Sequence, residues 1–385
     1  MKENDLIDYR ENYLLEKYFQ DIDHIMIIFK KHPVWANTQD FLKYLPKKEI
    51  KKLQTGNTFL VIDYTDEGYS SIHNKIFDYI YNNMKTYNID PSRIIYLSSN
   101  LRDNQAIANY CSWKKVSPIH VLGFRNFEAI TTSMVATIKK DSKQFKHIYT
   151  STVKNHTDKI YSCLSRVNRI HRVYAAYKLS NSDIGNSGLI SHNSLDENFH
   201  LPFLDNNNIE KKKFNNWANN LPLEVDRGDF SNNHDWQMVL SADKIFTSTI
   251  FHIANESLAD DFYKTSLFYT EKTFKPIFFM QPFVIYGQPG INKTLQSLGF
   301  EIFDDLFDYS FDEEEDMYKR FDLLLKSILP VVQSLQSMTS RQRVEWRFRH
   351  SEKLIKNYNT LINFNYDQTE LPLFIEKIRK NNVHS

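Results

Sequence analysis

The sequence predicts an α/β protein built as two Rossmann-like lobes. Three observations carry this expectation. Short β-rich apolar runs alternate with helical patterns from the start of the chain, which argues for a parallel sheet with both faces covered. Helix, strand and turn signals recur in the second half, around Thr270 to Gly290. A chain of 385 residues exceeds what one hydrophobic core normally supports.

In the first lobe, expected over residues 1–150, Ile22 to Phe29, Phe59 to Ile62, Ile94 to Leu97 and Ile119 to Leu122 read as strands. Ile72, Ile76, Tyr79, Ile80 and Met84 keep one helix face apolar in the second gap, and Ala106 to Trp113 fills the third. Ligands of such sheets bind beyond the carboxyl ends of the strands, which draws attention to Asp63 to Gly68 and to Ser98, Ser99 and Asn100.

The second lobe is expected over residues 151–335. Cys163 to Arg172 leads three arginines and a histidine into an apolar helix from Val173 to Leu179. Arg169 and Arg172, spaced i, i+3, project from one helix face, and their planar forks suit phosphate oxygens. Cations at a helix N-terminus oppose the macrodipole, so their presence asks for a reason. From Asn181 to Asn220 polar residues dominate and loops are expected. Trp236 to Ile245 resumes a compact pattern that leads to Phe251 through Ser257.

In Thr270 to Gly290, Thr273 is the expected N-cap and Pro276 falls in the first turn, where its missing N–H removes no helix bond. Phe283 to Tyr286 is a strand ending in the turn Gly287-Gln288-Pro289-Gly290. Leu295 to Phe300 gives a short helix stopped by Gly299, and Glu301 to Phe303 a further strand. Residues 336–385 form a C-terminal helical segment expected to pack back on the first lobe. Its basic stretch Ser340 to Asn357 also carries Trp346 and Phe348, which ask to be buried; a basic face meeting DNA phosphates is the competing reading.

The chemistry concentrates at Thr270-Glu271-Lys272. A helix N-terminus with a nearby ammonium stabilises a diphosphate, and a carboxylate accepting two hydroxyl bonds suits a sugar diol. Lys272 is therefore the candidate for phosphate and Glu271 for a ribose, against the bland alternative of a solvated charge pair on a turn.

Glu256 to Arg320 resembles the C-terminal half of GT-B type glycosyltransferases common in phage genomes, and more distantly the donor domain of the α1,3-fucosyltransferases. The likeness rests on Thr270-Glu271-Lys272, the strand with its glycine turn, the Gly299-Phe300 step, and Asp312, Asp316 and Arg320. Asn168 to Arg172, NRIHR, similarly resembles the N-R-x-x-R segment that precedes the donor-domain helix. The resemblance implies a GT-B fold: an acceptor-side lobe over 1–150 facing a donor lobe over 151–335 across a cleft, with 336–385 bracing the first. It implies a nucleotide-sugar-dependent glycosyltransferase with Glu271 on the donor ribose and Lys272 on its phosphates. Thr270, Arg169 and Arg172 complete the donor-binding set, and Glu256 and His252 are second-tier members.

Inverting transfer deprotonates the acceptor hydroxyl, and a carboxylate in the facing lobe is the usual chemical answer; Glu67 and Asp66 are the catalytic candidates, with Asp63 and Asn100 on the acceptor. Turn and cap roles for the helix near Ser70 account for the same carboxylates equally well. A UDP- or GDP-linked sugar is expected as substrate, with no cofactor and no metal, because helix dipoles and cationic side chains neutralise the leaving diphosphate. The specific acceptor implied is a hydroxylated or hydroxymethylated cytosine in phage DNA. Such a base must be flipped out, and Lys211 to Lys213 with Trp217 would supply a basic rim and a wedge. A glycan or small-molecule acceptor, or a non-enzymatic nucleotide- or DNA-binding module, are the alternatives.

The composition sets limits. No apolar run approaches the roughly 20 residues that span a bilayer. Two cysteines, Cys111 and Cys163, and no apolar leader behind Met1 argue for a reducing cytoplasm, the host's if the chain is phage-encoded. A net charge of +1 provides no field to gather polyanions, so nucleic-acid contact would have to be local. No membrane and no obligate protein partner are expected.

Overall fold

The computed structural model describes residues 7–8, 18–29, 40–126 except 57, 66, 67 and 69, 144–197 except 156 and 157, 199, 201–204, 208–223, 243–259 and 265–382. The chain forms two compact units. Met1–Ile130, Thr265–Tyr269 and Asn365–Ser385 make the first, and Thr131–Lys264 with Thr270–Phe364 the second.

The first unit holds β1 (Ile7–Asp8), β2 (His24–Phe29), α1 (Lys47–Thr55), β3 (Phe59–Tyr64), α2 (Ile76–Tyr87), β4 (Ile94–Ser98), α3 (Asp103–Lys114) and β5 (His120–Gly123). β2 to β5 run parallel in sequence order, and β1 pairs antiparallel at the edge. β3 and β4 are buried along their whole length, as strands covered on both faces must be. The strand order never reverses here.

The second unit holds α4 (Gln144–Asn155), β6 (Tyr161–Leu164), α5 (Ile170–Ser180), β7 (Gly188–Ser191), α6 (Asn208–Ala218), α7 (Asp243–Ser248), β8 (Phe251–Asn255), α8 (Glu271–Phe278), β9 (Phe283–Tyr286), α9 (Ile291–Ser297), α10 (Met317–Gln336), α11 (Ser340–Arg349) and α12 (Ser351–Asn363). Its four strands are parallel in the order β7-β6-β8-β9. The chain leaves β6 for β7, then returns past β6 to build β8 and β9. In sheets of this kind such a reversal marks where ligands bind, beyond the carboxyl ends of the strands on either side, here β6 and β8.

Four expectations about local structure are corrected. The stretch from Asn181 to Asn220, expected as loops, holds β7 and α6. The N-cap of α8 is Thr270, whose side chain accepts from Lys272 N, so Pro276 lies inside the helix instead of in its first turn. Glu301 to Phe303 forms no strand; Asn357 occupies its polar groups, accepting from Glu301 N at 2.6 Å and donating to Glu301 O at 2.9 Å. The helix expected over Leu295 to Phe300 begins earlier, at Ile291, and ends at Ser297.

The basic C-terminal stretch becomes two helices that break at His350. α11 starts with a capping box between Thr339 and Gln342. Its arginines face different worlds. Arg341 pairs with Glu345 on the surface, whereas Arg343 and Arg347 are buried in the second unit. Of residues 336–385, those up to Phe364 belong to the second unit, and Asn365–Ser385, including α13 (Leu371–Asn382), to the first. α13 buries Leu371, Ile375 and Ile378 at helical spacing. No helix among the described residues is long and apolar enough to cross a membrane.

Candidate functional site

The ends of β6 and β8 are tied together where Asn255 Nδ2 donates to Ser165 Oγ at 3.1 Å. Beyond them the chain enters two helices. α5 begins after Arg169, which has extended backbone and no side-chain cap. α8 begins after Thr270, and what fixes it is Glu256, the residue just past β8.

Glu256 is fully buried, and its carboxylate accepts from Thr270 N at 3.0 Å, Thr270 Oγ1 at 2.7 Å, Thr273 Oγ1 at 2.6 Å and Ser257 N at 3.0 Å. A buried carboxylate persists only with such a set of donors, and this one complements the positive end of α8 as well. Its side chain therefore anchors the helix. Its carbonyl oxygen accepts from His171 Nε2 at 3.0 Å and Arg172 Nε at 3.2 Å.

Three cations meet at the next residue. Arg169 Nη1 donates to the Ser257 carbonyl, Arg172 Nη2 to Ser257 Oγ at 3.2 Å, and Lys272 Nζ to Ser257 Oγ at 3.4 Å. Lys272 Nζ also donates to Glu271 Oε1 at 2.7 Å. The structure thus gathers Arg169, Arg172, Glu256, Thr270, Glu271 and Lys272 around Ser257. Nothing in the sequence singles out Ser257; only its place after Glu256 at the end of β8 does so.

The charges are strained against one another. Burial and the neighbouring Arg169 lower Arg172 to about 10, opposed by Glu256 and Glu271. Burial alone would raise the Glu271 carboxyl, but Lys272, Lys275 and the Lys272 hydrogen bond bring it down to about 2, so it is ionised at neutral pH. His171 is held well below its ordinary value by burial and then by Arg172. It is therefore neutral, and because a carbonyl only accepts, the proton sits on Nε2.

His252 lies outside this cluster. It stands near the start of β8, roughly 13 Å of strand from Glu256 by the usual rise per residue. Its Nδ1 is 2.9 Å from Ser162 Oγ, and burial lowers it to about 3, so it is a neutral core histidine. Asp312 and Asp316 serve helix starts: Asp312 accepts from Asn292 N and Lys293 N, and Asp316 from Lys319 N. Arg320 is buried and donates to the Ala259 carbonyl, which steadies the loop after β8.

The acceptor-side candidates lie in the first unit. Glu67 and Asp66 fall outside the described residues. Asp63 is inside β3, and its Oδ1 accepts from Thr65 N at 2.9 Å and Thr65 Oγ1 at 2.7 Å. Asn100 is buried; its Oδ1 accepts from Leu267 N at 2.8 Å, and its Nδ2 donates to Asp103 Oδ1 at 3.0 Å. Both side chains are engaged in holding the carboxyl end of the sheet.

Asp103, fully buried beside them, is raised from 3.8 to about 6 by burial, against hydrogen bonds from Ser98, Ser71 and Asn100. A carboxyl whose folded pKa is raised loses stability as pH rises between the two values. Wild type is therefore expected to gain stability relative to Asp103→Asn as pH falls from about 6 to about 4. Denaturant midpoints of the two proteins across that window check this; parallel profiles would refute it.

Lys211 to Lys213 are exposed on α6. Trp217 is buried against Tyr177 and Phe214. The expected aromatic wedge is thus a core residue, because the apolar face of α6 packs onto α5. Among the described residues, no group of three or more His, Cys, Asp or Glu is placed to hold a metal ion. Comparison with protein-family models and with curated proteins finds no match to this chain.

Proposed function

We propose that the chain is a nucleotide-sugar-dependent glycosyltransferase of GT-B type, with the donor diphosphate taken at the carboxyl ends of β6 and β8 in the second unit. What carries this reading is the meeting of Arg169, Arg172 and Lys272 on Ser257 at the starts of α5 and α8. Cations gathered at helix N-termini repel one another and oppose both dipoles, and a multiply charged anion relieves both strains. Guanidinium forks from one helix and an ammonium from another approach a single point, which fits a diphosphate better than a lone carboxylate. Glu271, ionised and about a quarter exposed, is the acceptor for a ribose diol.

On this reading the sugar passes to a hydroxyl compound, and a hydroxylated cytosine in DNA is the first acceptor to try. The general base is sought at Asp66 and Glu67. Cations and helix dipoles neutralise the leaving diphosphate, so donor turnover is expected to survive excess chelator; complete loss would count against it.

A thermal-shift panel of UDP- and GDP-linked sugars is the direct test. A ligand that binds only the folded state adds about 2.7 kcal/mol at a hundred times its Kd. If no donor in the panel raises Tm, the reading fails.

A further inference from the structure

Gln288 stands in the turn after β9, the strand that pairs with β8. β8 and β9 run parallel with Asn255 opposite Tyr286, and Glu256 N donates to Tyr286 O at 2.9 Å. A Cβ added to Gly287 would come within 3.3 Å of Glu256 Cβ. Carrying that register one residue further puts Gln288 level with Ser257.

The Gln288 side chain is fully buried, and neither Oε1 nor Nε2 has a hydrogen-bond partner among the described residues. A carboxamide carries an acceptor and two donors, and buried polar groups nearly always find partners. Asn255, the last residue of β8, repeats the pattern in part: Nδ2 is bonded to Ser165 Oγ while Oδ1, also buried, has no partner among the described residues. Two buried amides with open groups thus lie at the carboxyl end of β8 and just past that of β9.

We propose that Gln288 reads the ligand, its carboxamide pairing with a group that presents a donor and an acceptor side by side. The imide edge of a nucleobase and a pair of sugar hydroxyls both have this chemistry. The proposal rests on the donor-site reading above and extends it from the phosphates to the part that gives the ligand its identity. The carboxamide is now sealed from water, so on this proposal the ligand reaches it by displacing what packs over the turn.

The test compares wild type with Gln288→Met, apolar and of similar shape, using inorganic diphosphate, UDP, GDP, UDP-glucose and GDP-mannose as titrants. Removing an unpaired amide is expected to leave the Tm of the free protein unchanged or higher. Affinity for the preferred nucleotide should fall on the order of tenfold, with diphosphate binding unchanged. A loss already present with UDP or GDP assigns the contact to the base; a loss confined to the nucleotide sugars assigns it to the sugar.

Two results would overturn the proposal: a lower Tm, which marks a structural amide, or unchanged affinity for every nucleotide while diphosphate still binds. Should Gln288→Met not fold, Gln288→Glu replaces the donor with an acceptor at nearly constant shape. An unchanged ratio of nucleotide to diphosphate affinity in that variant would likewise sink it. If wild type binds none of the five compounds, the donor site itself is wrong and this inference falls with it.

Discussion

Lys272→Ala is expected to weaken nucleotide-sugar binding by roughly 1.5–3 kcal/mol, or about ten- to a hundredfold, while leaving acceptor binding nearly unchanged. The ammonium is the one cation of the cluster that comes from α8, and its partners are the Ser257 hydroxyl, the Thr270 hydroxyl and the Glu271 carboxylate. Removing it takes a charge-assisted donor from the anion and also frees Glu271 from the partner that holds its carboxyl down. An uncompensated carboxylate then stands beside the incoming phosphates, so the loss should exceed that of a single neutral hydrogen bond. Its side chain is about a quarter exposed, so the fold is expected to survive. Calorimetric titration of donor and acceptor separately checks this. Equal weakening of both would show that Lys272 does not belong to the donor site.

Arg347→Met is expected to destabilise the second unit by roughly 3–5 kcal/mol, the largest effect of any single side chain in α11. Arg347 is completely buried, and its guanidinium donates to the carbonyls of Phe246 at 2.7 Å, Thr249 at 2.9 Å, Phe279 at 2.6 Å and Met280 at 3.3 Å. These carbonyls close the segment before β8 and the end of α8, where the backbone has no sheet or helix partner to offer. Methionine fills much of the volume but supplies no donor, which leaves several buried carbonyls unsatisfied. Denaturant unfolding of wild type and variant measures the difference. A loss below about 1 kcal/mol would mean that water replaces the guanidinium at little cost. Arg341→Ala in the same helix is the internal contrast, because that arginine is exposed and its pairing with Glu345 is worth little.

The two arginines mark where sequence reading stops. In the basic run from Ser340, Trp346 and Phe348 ask to be buried; the structure buries Trp346 and leaves Phe348 half-buried. Nothing local tells Arg341 from Arg347, one in solvent and one in the core. The carbonyls that claim Arg347 lie 67 to 101 residues away in the chain. Trp217 shows the same limit in reverse: a tryptophan after three lysines suggests a surface wedge until Tyr177 and Phe214 are seen to enclose it.

By itself the sequence determined most of the elements. Runs such as Phe59 to Ile62 and Phe283 to Tyr286, and the apolar helix through Val173 to Leu179, are legible because apolar periodicity and β-branched content act within a few residues. It also placed Glu271 and Lys272 at a helix entrance. Only the tertiary structure decided that the strand order reverses between β6 and β8, that Glu256 locks α8 instead of facing a ligand, and that Arg169, Arg172 and Lys272 meet on Ser257. The physical reason is one of range. Periodicity is set by neighbours along the chain, whereas buried charges such as Glu256 and Arg347 are held chiefly by donors and acceptors 14 to 101 residues distant, which come together only in the folded chain.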